Sequence, residues 1–197
     1  MMKKMILILA MAFVGASASA QVWQCNIGIT YGAFDRAGLG GSSEIIDVQR
    51  QSTVNGSHYE SSPTILPTFS LEAGCIMDEA PVGFFMGVFW NYAWNNLNGG
   101  PSLLTEKENI FHFLPEVRFY YYTGEKVQLY SIMAAGLRYR RFSETFEGDR
   151  IANGNFGFSY QFVPFGMSCS INRWNINCEI GHGMAWSLMK LGVGYSF

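Results

Sequence analysis

Apolar and polar residues alternate with a period of two over most of the chain after Gln21, and clusters of Gly, Asn, Asp and Pro interrupt the alternation. This pattern is typical of β-strands joined by turns, and the 3.6-residue period of a helix is hard to find. We therefore predict an all-β protein built from eight antiparallel strands. The predicted strands cover residues 22–34, 64–76, 82–94, 109–122, 127–142, 155–170, 174–183 and 187–197.

The connections between these strands alternate in length. Short connections follow strands two, four and six, whereas long polar connections follow strands one, three and five. Outer-membrane barrels have short turns at one end and longer loops at the other, so this sorting favours an up-and-down barrel. The short connections are residues 77–81, 123–126 and 171–173, the long ones are residues 35–63, 95–108 and 143–154, and a final short one lies near residues 184–186.

The two faces of each strand differ in polarity. In the eighth strand, five large apolar side chains from Met189 to Phe197 share one face, and Lys190 shares the other face with Gly192, Gly194 and Ser196. Strands three, four, five and seven show a similar division. A small or charged face suits a narrow interior, which leaves the apolar face outside. We predict a closed transmembrane β-barrel, because only a helix or a closed barrel can satisfy its backbone in lipid.

The predicted interior contains charged residues. Eight strands leave a lumen just wide enough for side chains to fill, so we expect no open pore. Unpaired charges in such a lumen would be costly, and they are therefore expected to pair. A plug of salt bridges and a gated small channel are the two interpretations. The predicted salt-bridge residues are Glu72, Glu116, Arg118, Arg138, Glu179 and Lys190.

Tryptophan residues avoid the centres of the predicted strands. Trp23 and Trp174 fall at strand starts on the tight-turn side, whereas Trp90, Trp94 and Trp186 fall on the loop side. Aromatic side chains are enriched at both membrane–water interfaces. We predict two interfacial belts from these tryptophans, joined by tyrosines. The tyrosines are Tyr120, Tyr121, Tyr122 and Tyr195.

Composition and charge agree with a membrane protein that is exported. Only 14% of the residues are charged, against 49% hydrophobic and 16% aromatic, whereas soluble domains have about 25% charged residues. The net charge of -2 provides no basic face for nucleic acid. Residues 1–20 combine Lys3 and Lys4, a short apolar stretch and an Ala18-Ser19-Ala20 cleavage site. This is the pattern of a signal peptide cleaved before Gln21, so the barrel is expected over residues 21–197.

The four cysteines lie near the tight-turn side. Cys25 is expected to face Cys75 across the first hairpin, and Cys169 to face Cys178 across the third turn, so both pairs are candidate cross-strand disulfides. Free lipid-facing thiols are the alternative. In the predicted register Cys169 faces inward unless Pro164 marks a bulge. Pro67, Pro115 and Pro164 recur at matching depth, which suggests either a built-in bend or three local irregularities. No C-x-x-C spacing or histidine cluster favours a metal, so we predict no metal or cofactor.

Candidate catalytic chemistry is sparse. The histidines are His58, His112 and His182, and His182 with Ser187 is the one arrangement that suggests a nucleophile and its base. No G-x-S-x-G is present, so we predict no catalytic residue. Arg141, near the outer end of strand five, is either a solvated strand end or a contact for lipopolysaccharide phosphates.

These features resemble the small eight-stranded outer-membrane β-barrel family, the OmpA/OmpX-like transmembrane barrels of Gram-negative bacteria. The signal peptide, the strand count, the loop asymmetry and the terminal Val193-x-Tyr195-x-Phe197 carry the resemblance. It implies that Val193, Tyr195 and Phe197 are an assembly signal for the barrel-assembly machinery. It also implies an outer-membrane location, among membrane lipid and lipopolysaccharide.

The predicted function is a non-enzymatic envelope protein with roles in structure or surface interaction. Residues 35–62 of the first loop are a candidate contact for an extracellular partner. The two alternatives are an outer-membrane enzyme that modifies lipid A and a secreted lipocalin-like binder of apolar ligands.

Overall fold

The computed structural model describes most of the predicted strands and part of their connections. Most of the predicted signal peptide and of the first loop, together with Ser187, lies outside the described residues. Within the described residues no helix is long and apolar enough to cross a membrane. The described residues are 20–31, 53–54, 57–58, 60–61, 64–77, 80–98, 104–146, 149–186 and 188–197.

Eight long strands form one closed, all-antiparallel barrel. Each pairs with its neighbours in sequence, and the first and last strands pair with each other through Cys25 opposite Tyr195 and Thr30 opposite Lys190. The prediction of a closed eight-stranded up-and-down barrel is therefore confirmed. The long strands are β1 (Ala20–Tyr31), β6 (Thr68–Met77), β7 (Val82–Asn98), β8 (Leu104–Thr123), β9 (Val127–Phe146), β10 (Asp149–Ile171), β11 (Trp174–Gly183) and β12 (Leu188–Ser196).

Within the described residues, four two-residue strands lie between β1 and β6. One pair forms a separate small ladder, and the other two strands pair with the loop-side half of β7. The edge of β7 that extends beyond β6 is therefore partly covered. These strands are β2 (Thr53–Val54), β3 (Ser57–His58), β4 (Glu60–Ser61) and β5 (Thr64–Ile65).

Strands β7 to β10 are much longer than the rest. They have 17, 20, 20 and 23 residues, against 12, 10 and 9 for β1, β11 and β12. The predicted loops 95–108 and 143–154 are therefore too long, because strand pairing continues to Leu97–Leu104 and to Phe146–Asp149. The sequence there is polar on both faces, so alternation of polarity no longer marks the strand.

The three prolines behave differently. Pro164 lies in a register shift between Val163 and Gly166, where β10 leaves both β9 and β11. Pro67 lies in the break between β5 and β6. Pro115 keeps its register opposite Met86, while the ladder to β9 passes from Phe113 to Glu116. Of the three prolines, only Pro164 lies at a register shift, and this bulge reverses which residues of β10 face inward.

The tight turn between β10 and β11 depends on one asparagine. Asn172 has a φ of 58°, a left-handed conformation that Asn tolerates better than most residues. It joins strands whose last pair is Ile171 opposite Trp174. The turn after β8 is closed by a hydrogen bond of 2.9 Å from the Gly124 amide to the Val127 carbonyl. The β10–β11 strands leave their turn in direct register, whereas the β8–β9 ladder shifts by one residue between Tyr120 and Tyr122.

Candidate functional site: a charged lumen inside an apolar wall

Large apolar side chains cover the outside of the barrel. On β9, Met133 and Leu137 are 58% and 55% exposed, and on β12 Leu191 and Val193 are 47% and 49% exposed. Similar exposure is found for Ile27, Leu71, Phe113, Phe158, Ile176 and Ile180. Water-soluble monomers rarely expose a contiguous apolar surface of this extent. An apolar wall around a polar interior is the arrangement of transmembrane barrels.

The fold is that of a small transmembrane β-barrel. The lipocalin-like alternative is wrong, because it requires the apolar face inside and charge outside. The expected inversion of polarity is instead present around the ring, and the opposite faces of the same strands carry the buried polar residues.

Five of the predicted lumen residues form one ion cluster at the barrel axis, which we call the lumen ion cluster: Glu72, Glu116, Arg118, Glu179 and Lys190. Arg118 contacts Glu72 at 2.5 Å and Glu116 at 3.1 Å, and Lys190 contacts Glu179 at 2.7 Å. Lys190 also contacts the other carboxylate oxygen of Glu72. Each side chain is at most 3% exposed. The cluster joins strands β6, β8, β11 and β12.

Aromatic and glycine residues fit closely around this cluster. The Arg118 guanidinium lies 3.8 Å from the centre of the Phe85 ring, a cation–π contact. Tyr130 donates a hydrogen bond of 2.9 Å to Glu179. A Cβ atom at Gly87 would collide with the Glu116 carboxylate. Tyr130 was not among the predicted salt-bridge residues, although it shares the inward parity of Arg138 on the same strand.

A second polar group lies nearer the loop side. Arg140 forms an ion pair with Glu108, and His112 Nδ1 lies 2.7 Å from Ser159 Oγ. Arg138 faces inward opposite His112 and is not among the residues of the lumen ion cluster. Its predicted membership of that network is thus corrected, because it stands at a different level along β9. Glu108 was missed since the predicted fourth strand began one residue later.

The connection between β11 and β12 folds into the mouth of the barrel. Asn91 donates a hydrogen bond of 2.9 Å to the Ala185 carbonyl, and the Met184 amide donates one of 2.9 Å to the Tyr160 carbonyl. Trp186 is 1% exposed and packs in the core. Its prediction as an interfacial belt residue is wrong, because this segment leaves the strand and turns inward.

The remaining tryptophans face outward. Trp23 and Trp174 are 39% and 57% exposed near the tight turns, and Trp90 packs against Phe69 and Phe111. Trp94 stacks obliquely on Tyr92 at 5.5 Å. These four tryptophans therefore lie on the outer surface, at positions suited to two belts.

The tyrosines divide between the outer surface and the lumen. Tyr121, Tyr122 and Tyr195 lie on or near the outer face close to the tight turns. Tyr120 is instead buried in the lumen at 6% exposure, 5.5 Å from the Tyr130 ring. Its prediction as a belt residue is corrected, since it has the inward parity of Arg118.

Asparagines and glycines fill the lumen on the tight-turn side. Asn26, Asn175 and Asn177 are each 2% exposed. A side chain at Gly194 would collide with the amides of Asn26 and Asn175. Ser168 donates a hydrogen bond of 3.3 Å to Asn177. Polar side chains thus occupy this part of the lumen too.

The cysteines are free thiols in this structure. Cys25 stands opposite Ala73 and Cys75 opposite Trp23, so the two cysteines are offset by two residues. Cys169 and Cys178 are offset in the same way. The expected direct opposition is therefore wrong. The bulge at Pro164 turns Cys169 away from the inward set, as the conditional prediction required.

The candidate catalytic residues do not come together among the described residues. His182 is exposed on the outer face of β11, opposite Phe162, and Ser187 lies outside the described residues. His112 and Ser159 do contact each other, but they are only 1% and 0% exposed. No group of three potential metal ligands occurs in the described part of the chain.

Comparisons with known proteins give similarity only among solved structures. No family model and no curated protein match the chain. Ail, the attachment invasion locus protein of Yersinia pestis, is 14% identical with a TM-score of 0.48, over 89% of this chain and 98% of that one. The N-terminal β-barrel domain of Pseudomonas aeruginosa OprF is 10% identical with a TM-score of 0.37, over 88% and 97%.

A further structure of Ail, in complex with the heparin analogue sucrose octasulfate, is 12% identical with a TM-score of 0.45, over 89% and 99%. Similarities at these levels assign no activity or ligand to this chain. The fold assignment depends on the strand pairing and the polarity described above.

Proposed function

We propose that the protein is a non-enzymatic integral protein of the Gram-negative outer membrane, with a lumen filled by side chains. The observation that supports this most is the reversal of polarity. Met133 and Leu137 are exposed on the wall, whereas Glu72 and Lys190 are 1% and 2% exposed at the axis. Burial of charge beneath an apolar wall is favourable only when lipid replaces water outside the barrel.

The lumen is a structural plug rather than a gated channel. The lumen ion cluster closes the middle of the barrel, and the inward turn with Trp186 closes the loop-side mouth. Both are held by buried hydrogen bonds or ion pairs. An open path for ions would require both to move together.

The loop-side extension of β7 to β10 is the proposed interaction surface of the barrel outside the cell. On the side away from β9, β10 has no described partner from Asp149 to Ser159, because the Tyr160 carbonyl accepts a hydrogen bond from Met184 and the pairing with β11 begins at Gln161. An open strand edge can accept an extended segment of another protein. This edge and the predicted first loop, residues 35–62, are the proposed contacts for an extracellular partner.

Assembly uses the outer face of the last strand. Val193 and Phe197 are 49% and 76% exposed, and Tyr195 packs edge-on against Trp174. We propose that Val193, Tyr195 and Phe197 are read by the barrel-assembly machinery before the strand pairs with β1. The predicted cleavable signal peptide, residues 1–20, supplies the export that this route requires.

The lipid A-modifying alternative receives little support. Its nucleophile and base must be within reach of lipid, and the contact between His112 and Ser159 lies in the closed lumen. Unchanged lipid A in cells that express the H112A, H182A and S187A variants is the expected result. A change in lipid A acylation that depends on any of these residues would contradict the non-enzymatic proposal.

Localisation and insertion are tested by expression in a Gram-negative host. The protein is expected in the outer-membrane fraction, with slower migration in detergent gels after boiling than before. Purified protein is expected to refold into phosphatidylcholine vesicles and to resist protease there. Recovery as a soluble periplasmic protein, or failure to insert into vesicles, would overturn the proposal.

A further inference from the structure

We propose that Lys107 and Arg141 form a binding site on the outside of the barrel for the phosphate groups of a lipid A-type glycolipid. The site builds on the proposed membrane location, and it names a lipid partner and the residues that contact it. Both cations lie on outward, exposed positions at the loop-side end of the apolar wall. Among the described outward side chains of the barrel strands, Lys107 is the only lysine and Arg141 the only arginine. These outward side chains include no aspartate or glutamate.

The two cations are close neighbours on adjacent strands. Arg141 on β9 stands opposite Asn109 on β8, and Lys107 is two residues from Asn109 on the same face. Such diagonal positions are about 7–8 Å apart, which suits two cations that share one phosphorylated headgroup. Arginine provides a fork for phosphate oxygens, and lysine adds a point charge.

The depth of the pair agrees with a headgroup contact. The outward positions of β9 run from Leu129 to Tyr139 without a charge, and Arg141 is the next outward residue. Roughly ten residue steps of about 3.3 Å, tilted by about 40°, span about 25 Å, which is the height of the apolar band of such barrels. Arg141 therefore lies just beyond the hydrocarbon, at the level of lipid phosphates.

Aromatic residues form the floor beneath the cations. The Trp90 indole donates a hydrogen bond of 3.3 Å to Asn109 and stacks near Phe111. Tyr139, on the same strand as Arg141, packs against Phe156 at 4.9 Å. Aromatic rings at this depth favour acyl chains below and headgroups above. The combination of an aromatic floor with two cations fits a phosphorylated lipid better than a free anion.

The experiment compares lipid retention by refolded protein. The wild type, the K107Q/R141Q variant and the matched K126Q/R173Q variant, which removes two cations at the tight-turn side, are each titrated with lipid A in detergent micelles. Bound lipid is counted by native mass spectrometry. Phosphatidylglycerol, phosphatidylcholine and inorganic phosphate are titrated in parallel.

The wild type and K126Q/R173Q are expected to retain lipid A equally, whereas K107Q/R141Q binds it at least about tenfold more weakly. Equal retention of lipid A by all three proteins would overturn the site. Binding of phosphatidylglycerol or inorganic phosphate to the wild type as tightly as lipid A would also overturn it. Failure of the proposed membrane function is distinguishable, because then the wild type would not insert into phosphatidylcholine vesicles at all. Insertion without selective lipid A retention rejects only the binding site.

Discussion

At the scale of single residues, the charged side chains of the lumen ion cluster are buried from solvent and contact one another in place of water. Lys190 contacts the carboxylates of Glu72 and Glu179. Arg118 contacts Glu72 as well and adds a third carboxylate, Glu116. Removing one member of such a network leaves its partners charged and buried, which costs more than the pair contributes. The parity of alternating strands indicates which residues face inward, but it does not reveal height along the axis. For that reason sequence reasoning grouped Arg138 with residues that it does not contact.

Replacement of Lys190 by methionine is expected to destabilise the barrel by about 3–5 kcal/mol, because Glu179 and one oxygen of Glu72 lose their cation. The measurement is the free energy of urea unfolding in phosphatidylcholine vesicles, followed by the fraction of protein with folded gel mobility. K126M, at an exposed tight turn, is the control and is expected to unfold like the wild type. Equal midpoints for K190M and K126M would show that the cluster does not hold the barrel together.

Gly87→Ala is expected to destabilise the barrel by about 1–3 kcal/mol, because the new methyl group meets the Glu116 carboxylate and the Phe89 ring. Gly157→Ala is the matched control on an inward position, where the nearest atom of Arg138 is 3.4 Å from the added carbon. The same unfolding measurement applies to both. Equal stability of the two alanine variants would show that the barrel does not need the absence of a side chain at position 87 to accommodate the Glu116 carboxylate.

At the scale of strands, polarity predicts an element well where lipid lies on one side and the lumen on the other. The prediction for β11 agrees at both ends, Trp174 and Gly183, because the alternation lasts for the whole strand. Beyond the apolar wall, residues 152–156 of β10 are exposed on both faces, so burial no longer alternates there. The sequence of the extensions of β7 to β10 is mostly polar on both faces, and they were therefore assigned to loops. The inward turn at Ala185 and Trp186 was missed for another reason: its contacts with Asn91 and Gln161 are distant in sequence.

The open edge of β10 makes a prediction about amide exchange. Between residues 150 and 158, amides that point toward β9 are expected to exchange slowly, and the alternate amides that point away are expected to exchange rapidly. Residues 130–139 of β9, which lie between β8 and β10, are the internal control and should be protected more uniformly. Hydrogen exchange followed by NMR in micelles measures both sets. Uniform protection along β10 would mean that another segment covers this edge.

At the scale of the whole molecule, one reversal of polarity accounts for the fold, the packing and the location. The same alternation that hides Glu179 and Lys190 exposes Ile180 and Leu191 on the paired strands. In water this arrangement would lose the apolar contribution to folding, because the large side chains lie on the outside. In a bilayer, the exposure of these apolar side chains carries no free-energy penalty, because they meet lipid. The closed hydrogen-bonded ring leaves no strand edge in the hydrocarbon. The stability of the molecule should therefore depend on the surrounding lipid.

Met133 tests this dependence directly, because it lies on the outer face near the middle of the uncharged stretch from Leu129 to Tyr139 and is 58% exposed. In vesicles, Met133→Arg is expected to cost about 2–4 kcal/mol of unfolding free energy, the penalty for arginine near the bilayer midplane. Asn153→Arg, at an exposed position on the loop-side extension of β10, is the matched control and should be nearly neutral, since its environment is aqueous. If Met133 instead faced water, its exposed side chain would accept arginine as readily as Asn153 does. Equal unfolding free energies for the two variants would therefore contradict the placement of this face of the barrel in the bilayer.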